Sequence, residues 1–342
     1  MFHRKLYQIA KPIVSACPFL KKLIFAYGIK HNLFPRVLTL VLTYRCQCRC
    51  AHCGVADAHG ASESELSTQE IISLIDQAAK IGMIMQITFT GGEPLLRKDI
   101  LQLVRYSKKY NFFTKIDSNG ALLDAKRLNE LKEAGLDRIG ISIDHYQGDI
   151  HDQLRRYSGL FNNIMEVIKI CASLKLSVYL QTYATDKNIR NGDLERVIQL
   201  AEEVAVDKIK IQPIATLGAS KIACDDMLTA EDFTLLHDMI SRHAGAYVES
   251  EFLSARDHKK FCRVNFKSNI HITCYGEVQP CCWFPASFGN VRKNKLREIL
   301  DYMYSSSAFK RLLEFDGCLC SNQEVLSTYF ECNKKLPVKI YE

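Results

Sequence analysis

Nowhere in the 342 residues do about 18 apolar residues run together, so the sequence holds no ordinary transmembrane helix. A secretory signal is also missing, because Arg4, Lys5 and Lys11 interrupt the apolar residues of the first segment. Net charge is +7, yet the lysines are spread along the chain rather than massed in one block. Aromatic residues do not cluster with the basic ones, so no nucleic-acid partner is expected, and a zinc-binding nucleic-acid or scaffold protein stands as the alternative from another class. There are no low-complexity tracts and no internal repeats beyond an alternation of strand and helix, which excludes a solenoid. At 47% hydrophobic and 24% charged residues the balance is that of a globular protein, long enough for one large α/β barrel or two ordinary domains. A chain of that size has no need of disulfide staples.

Against those absences stand 14 cysteines, most of them in two groups, Cys46 to Cys53 and Cys262 to Cys332. A disulfide scaffold scatters its cysteines more evenly; thiols gathered in this way serve metal, and a reducing cytoplasm is the natural compartment.

Three stretches follow one another. Residues 1–36 are basic and roughly amphipathic, with Leu6, Ile9, Ile13, Phe19, Leu23 and Phe25 set among lysines. Such a segment packs as a helix on the outside of a barrel or lies against a membrane surface or a partner. From 37 to 220, β-branched runs at 37–43, 85–90, 112–117, 138–144, 176–184 and 207–214 alternate with helical periods at 68–81, 98–109, 124–134, 160–174 and 191–204. Ser67 with Glu70 three residues on forms a capping box for the first helix. Six βα units make a partial (β/α)6 barrel of the TIM type, an α/β fold whose chemistry belongs at the C-terminal ends of its strands. Beyond about residue 220 the alternation stops, one helix is expected near 229–243, and residues 221–342 read as a smaller cysteine-rich domain.

Directly after the first strand, Cys46, Cys48, Cys50 and Cys53 fall within eight residues. A structural zinc site draws its ligand pairs from separated segments, whereas one tight loop favours three ligands and an open position. Cys46, Cys50 and Cys53 give C-x3-C-x2-C, and three thiolates on a four-iron cluster leave one iron free for another ligand. This spacing after strand one resembles the signature of the radical S-adenosylmethionine superfamily. The resemblance implies a [4Fe-4S] cluster on those three thiols, S-adenosylmethionine on the open iron, and His52 against the adenine. Cys48 has no place in the pattern.

Later strand ends extend the resemblance. Gly91, Gly92 and Glu93 stand where the family's Gly-Gly-Glu-Pro motif receives the methionyl amino group. Asn119 is a turn residue by composition and, by resemblance, part of the family's Thr-Asn-Gly. Ser142 and Asp144 share a face by the two-residue strand period and match positions that bind the ribose and methionyl carboxylate. Arg155, in His151-Asp152-Gln153-Leu154-Arg155, is similar to an arginine that pairs with that carboxylate, and Gln212 matches a residue behind the adenine.

In the tail, Cys262-x13-Gly276-x4-Cys281 is similar to the start of the auxiliary cluster domains called SPASM and, in shorter form, twitch. The run C-x2-C-x5-C-x3-C of the long form is absent, which favours the short one. Cys262, Cys281, Cys318 and Cys320 are then the ligands of a second [4Fe-4S] cluster, with Cys332 competing for the last place, and a zinc site or packed free thiols are the alternatives. The resemblance further implies an electron donor such as flavodoxin or ferredoxin. It also implies hydrogen abstraction from a peptide or natural-product intermediate, with epimerisation, oxidation or cross-linking as outcomes. A membrane-linked substrate rests on residues 1–36 alone. Cys224 is a candidate hydrogen donor, with a core thiol as its alternative.

Overall fold

Between Arg36 and Pro213 six strands of a parallel sheet are joined by five stretches of return chain that run back across one face of it. The computed structural model describes residues 36–56, 64–213, 228–243, 248–250, 264, 267–282, 284, 286–314 and 338–340. Its six repeating strands are β1 (Arg36–Val41), β2 (Ile84–Thr90), β3 (Phe113–Ser118), β4 (Arg138–Ser142), β5 (Ser177–Ala184) and β6 (Lys208–Pro213). Between them lie α1 (Thr68–Ile81), α2 (Ile100–Lys108), α3 (Ala125–Glu133), α4 (Gly148–Arg155), α5 (Leu160–Leu174), α6 (Asp186–Arg190) and α7 (Asp193–Glu203). The capping box on α1 is formed, Ser67 receiving the Glu70 amide and Glu70 the Ser67 amide. The short helices α4 and α6 lie outside the periods expected from sequence. Eight and five residues are too few to show an apolar stripe.

The sheet does not stop at residue 220. After α8 (Ala230–Arg242), β7 (Val248–Ser250) joins the free edge of β6, and β8 (Asn269–Ile272) pairs in parallel with β1 at the other edge. With β9 (Val278–Gln279) antiparallel to β8, nine strands run in the order β7-β6-β5-β4-β3-β2-β1-β8-β9. The two ends do not meet, so the architecture is the open, partial barrel. A separate two-stranded sheet joins β10 (Ala286–Ser287) to β11 (Val338–Lys339), and α9 (Leu296–Ser305) and α10 (Ser307–Leu312) lie among the described residues of the tail. The tail is tied to the barrel through Arg292, whose guanidinium donates to Glu70 and to the carbonyls of Ser64 and Glu65.

The core explains the alternation. Leu38, Leu40, Ile87, Phe89, Ile116 and Ile139 are all at most 2% exposed and join the apolar faces of the helices in one cluster. Successive strand residues point to opposite faces, so the residues between them look away from the helices, toward the lumen. That second face is polar: Thr39, Thr88, Lys115, Asp117, Tyr179 and Gln181 all fall on it by register.

Among the described residues no helix is long and apolar enough to cross a membrane. Residues 1–35, which hold almost all of the basic amphipathic stretch, lie outside the described residues.

Candidate active site

The cysteine loop sits where parallel strands bring their C-terminal ends together, and three contacts fix it there. Paired glycines after β2 make the first. A Cβ on Gly91 would lie 2.2 Å from the Thr43 carbonyl oxygen, and one on Gly92 would lie 2.5 Å from those of Tyr44 and Arg45. The close approach lets the Gly92 amide donate to Thr43 at 2.8 Å and the Glu93 amide to Arg45 at 2.9 Å. These glycines are therefore required by the backbone of the cysteine loop.

The second contact comes from α4. The Arg49 amide donates to the Arg155 carbonyl at 3.2 Å and the Ala51 amide to that of Leu154 at 3.0 Å, stitching the loop to the helix end. The Arg155 guanidinium turns inward and takes both oxygens of Asp144, Nε to Oδ2 at 2.5 Å and Nη2 to Oδ1 at 2.6 Å. Burial pushes the Asp144 carboxyl up, but Arg155 above all, with His52 and His151, holds it down to about 2. Asp144 also meets the His52 imidazole, 3.5 Å from Nε2, and its amide donates to Nδ1 of His151 at 3.1 Å. His52 lies 4.2 Å, centroid to centroid, from the Tyr183 ring. Its buried Nδ1 has no hydrogen-bond partner, and burial keeps the ring toward its neutral form.

Asn119 makes the third contact. Its Nδ2 donates to the Cys46 sulfur at 3.4 Å, while its Oδ1 accepts from Gln47 at 3.1 Å and from the Ala121 amide at 2.9 Å. Glu93 positions this turn: fully buried, it accepts from the Asn119 amide at 2.8 Å, from Ser118 Oγ at 3.0 Å and from the Leu95 amide at 3.0 Å. Burial raises its carboxyl to about 7 in spite of those donors.

Cys46, Cys50 and Cys53 are half-buried, whereas Cys48 is buried at 1% exposure. Hydrogen bonds with the Cys48 side chain lower both Cys46, to about 6, and Cys50, and raise Cys48 itself. Arg155 adds to the lowering of Cys46 and Cys50, and burial raises Cys53. The proton thus favours Cys48, and two of the three C-x3-C-x2-C thiols are biased toward the thiolate that iron binds. Arg49, unforeseen in the sequence, donates to the Cys46 and Cys48 carbonyls from the open side. Half-open thiols on one loop, an N–H aimed at a sulfur and an imidazole whose buried Nδ1 has no partner suit a cluster with a nitrogen-rich ligand beside it. Among the described residues no three His, Cys, Asp or Glu side chains converge as the ligands of a single metal ion would.

The other expected residues are more dispersed. Ser142 is half-buried at the end of β4, and Gln212 is half-buried on β6 opposite Tyr183 of β5. Cys281 is half-buried in a bridge to Phe284, Cys282 is exposed and Cys274 is buried. Cys262, Cys318, Cys320, Cys332 and Cys224 lie outside the described residues. Sequence reading missed the lumen network of Lys115, Asp117, Tyr179 and Gln181, and His271 of β8. Its signal was there in β3 and β5, where polar residues recur at every second position.

Comparison with known proteins places these features. The model of the Radical SAM superfamily matches residues 40–201, and that of an iron-sulfur cluster-binding domain, SPASM, matches residues 262–323. The AdoMet-dependent heme synthase of Methanosarcina barkeri is 24% identical over 302 residues, 81% of this chain and 84% of that protein. The PqqA peptide cyclase of Rhizobium meliloti is 25% identical over 320 residues, 84% of this chain and 82% of that protein. In fold, the chain is similar to Streptococcus suis SuiB bound to its precursor peptide SuiA, with a TM-score of 0.68 at 16% identity, over 86% of this chain and 71% of that one.

Proposed function

The chain belongs to the radical SAM superfamily and carries a SPASM iron-sulfur domain, and from that premise we propose that it modifies a peptide. It is an enzyme that uses S-adenosylmethionine and [4Fe-4S] clusters. When bound, that pair supplies a one-electron cleavage whose 5′-deoxyadenosyl radical takes hydrogen from the substrate. The task of the protein is then to hold the target carbon in place and keep water out.

Cys46, Cys50 and Cys53 hold the first cluster, and the Asn119 N–H on Cys46 tunes its potential. His52 lies against the adenine, backed by Tyr183 and by Gln212. Asp144, Ser142 and Arg155 surround the ribose and methionyl ends. The backbone of Gly91 and Gly92 faces the amino group, and Glu93 acts by fixing the Ser118–Asn119 turn. Cys262, Cys281, Cys318 and Cys320 hold the auxiliary cluster, and a flavodoxin or ferredoxin supplies the electron. Cys224 remains the candidate hydrogen donor.

The observation that carries the cofactor chemistry is the cysteine loop clamped between the Gly91–Gly92 backbone, Asn119 and the end of α4. The peptide is favoured by two peptide-related proteins, the cyclase and the peptide-bound SuiB, and by the polar lumen wall, which suits amide groups better than an apolar macrocycle. A tetrapyrrole is the second reading, because the heme synthase is as similar in sequence as the cyclase.

Anaerobic incubation with dithionite and S-adenosylmethionine tests the chemistry: 5′-deoxyadenosine should form and vanish in Cys50→Ala. A yield unchanged by that substitution would overturn the assignment. Stimulation of that yield by peptides encoded beside the gene, rather than by an iron porphyrin, supports the peptide.

A further inference from the structure

Ordinary β/α barrels fill their lumen with branched apolar side chains. Here the inward positions are polar and largely satisfy one another. Asp117 accepts from the Tyr179 hydroxyl and, at 3.1 Å, from Gln181 Nε2, while Lys115 Nζ stands 3.1 Å from its other oxygen and donates to Tyr179 at 2.7 Å. The strand between them yields room: a Cβ on Gly140 would fall 2.4 Å from Tyr179 and 2.5 Å from Asp117. Nearer the other edge, Gln86 donates to Thr88 at 2.9 Å and Thr39 to Asn269 at 3.2 Å.

His271 breaks this pattern. It stands on β8 directly opposite Thr39 of β1, and its neighbours Ile270 and Ile272 are fully buried on the other face of the strand. Register therefore turns His271 to the lumen with Thr39 and Asn269. The residue is 5% exposed, and its buried Nδ1 has no hydrogen-bond partner. An unpaired polar atom at such a position costs stability that an apolar side chain of similar size would not. No protein group pairs with this nitrogen, and a polar group that arrives with the substrate would.

We propose that His271 is a specificity-determining residue of the lumen, hydrogen-bonding an amide group of the substrate. The inference rests on the peptide reading above. Burial keeps the ring neutral, and a neutral imidazole offers one donor and one acceptor, the complement of an amide's C=O and N–H. The neighbouring Thr39–Asn269 pair supplies a second polar contact on the same wall.

The test uses the cluster-loaded holoenzyme with S-adenosylmethionine, and two probe sets: synthetic peptides covering short reading frames beside the gene, and an iron porphyrin. Substrate-dependent 5′-deoxyadenosine formation is measured for the native protein, His271→Leu and His271→Gln. With a stimulating peptide, His271→Leu should raise KM about tenfold, the size of one hydrogen bond. His271→Gln, which keeps a donor and an acceptor, should recover most of that. Iron content and the slow peptide-independent cleavage should stay at native levels in both. Equal KM in all three proteins, or a loss of iron and basal cleavage in both variants, overturns the proposal. If only the porphyrin stimulates, or neither probe does, the peptide reading fails. His271 is then judged on a crystal structure of the holoenzyme. A protein group bonded to Nδ1 in that structure, or a water held there by other protein groups, overturns its role, and an Nδ1 left open to the lumen supports it.

Discussion

Arg155 holds Asp144 through both arms of its guanidinium, at 2.5 and 2.6 Å, in a pair whose side chains are only 10% and 0% exposed. From the same residue the main-chain carbonyl receives the cysteine loop at Arg49. One side chain and one carbonyl of Arg155 thus join the segment after β4 to the cysteine loop.

Removing the guanidinium leaves a buried carboxylate without its partner. Arg155→Ala should cost about 3–5 kcal/mol, and Arg155→Lys should recover only part, since an ammonium cannot make the fork. Asp144 is held at about 2 in the folded protein against 3.8 normally. A depressed carboxyl stabilises the fold above the unfolded value and loses that contribution as pH falls through the folded one. The gap in denaturant midpoint between native and Arg155→Ala should be widest at neutral pH, where the native carboxylate is paired and burial disfavours the unpaired one, and should narrow steadily as pH falls toward 2. A gap that does not change with pH would show that the pair does not carry the difference.

The paired glycines give a contrast between two kinds of glycine requirement. Gly92→Ala places a methyl 2.5 Å from two carbonyl oxygens of the cysteine loop and should displace the loop, lowering iron content after anaerobic reconstitution. Gly192 has φ +82 with nothing within 4 Å, so Gly192→Ala should cost about 1–2 kcal/mol of backbone strain and keep its iron. Iron assay beside a melting curve separates the two.

Glu93 offers a sharper distinction. If it fixes the Ser118–Asn119 turn, Glu93→Gln sets an NH2 group against a backbone N–H and should cost about 1–3 kcal/mol of stability together with weaker S-adenosylmethionine binding. A variant of native stability that has lost only cofactor affinity would instead make Glu93 a direct ligand. Calorimetric titration and melting on the same preparation decide.

Much of the fold was legible because its pattern is local. The apolar periods of α1 and α5 and the β-branched runs of β1 to β6 coincide with the expected stretches to within a residue or two at most ends. What could not be read was non-local. Nothing in Asp144 or Arg155 alone says that they bind each other, since α4 must first fold back over the strand end. β8 was missed because Asn269-Ile-His-Ile272 is short and buried on both faces, and only its pairing with β1 reveals that His271 belongs to the lumen. Glu93 carried a motif that by resemblance receives the methionyl amino group, and nothing in that motif shows that the residue is completely buried or that Asn119, Ser118 and Leu95 donate to it.

Residues 262–323 match an iron-sulfur domain, yet the thiols proposed for the first cluster all lie between Cys46 and Cys53, on a different loop. If each domain gathers its own thiols, the intact protein holds about eight irons and the Cys46, Cys50 and Cys53 triple Ala variant about four. Gathering thiols from distant segments fixes the chain between them, so Cys281→Ala should leave the tail protease-sensitive while the barrel resists. Arg292, whose guanidinium bonds Glu70 and two barrel carbonyls, should then become a cleavage site for trypsin, readable by mass spectrometry. Zero residual iron in the triple variant, with Arg292 equally protected in native and Cys281→Ala protein, would mean that the tail folds without a cluster of its own.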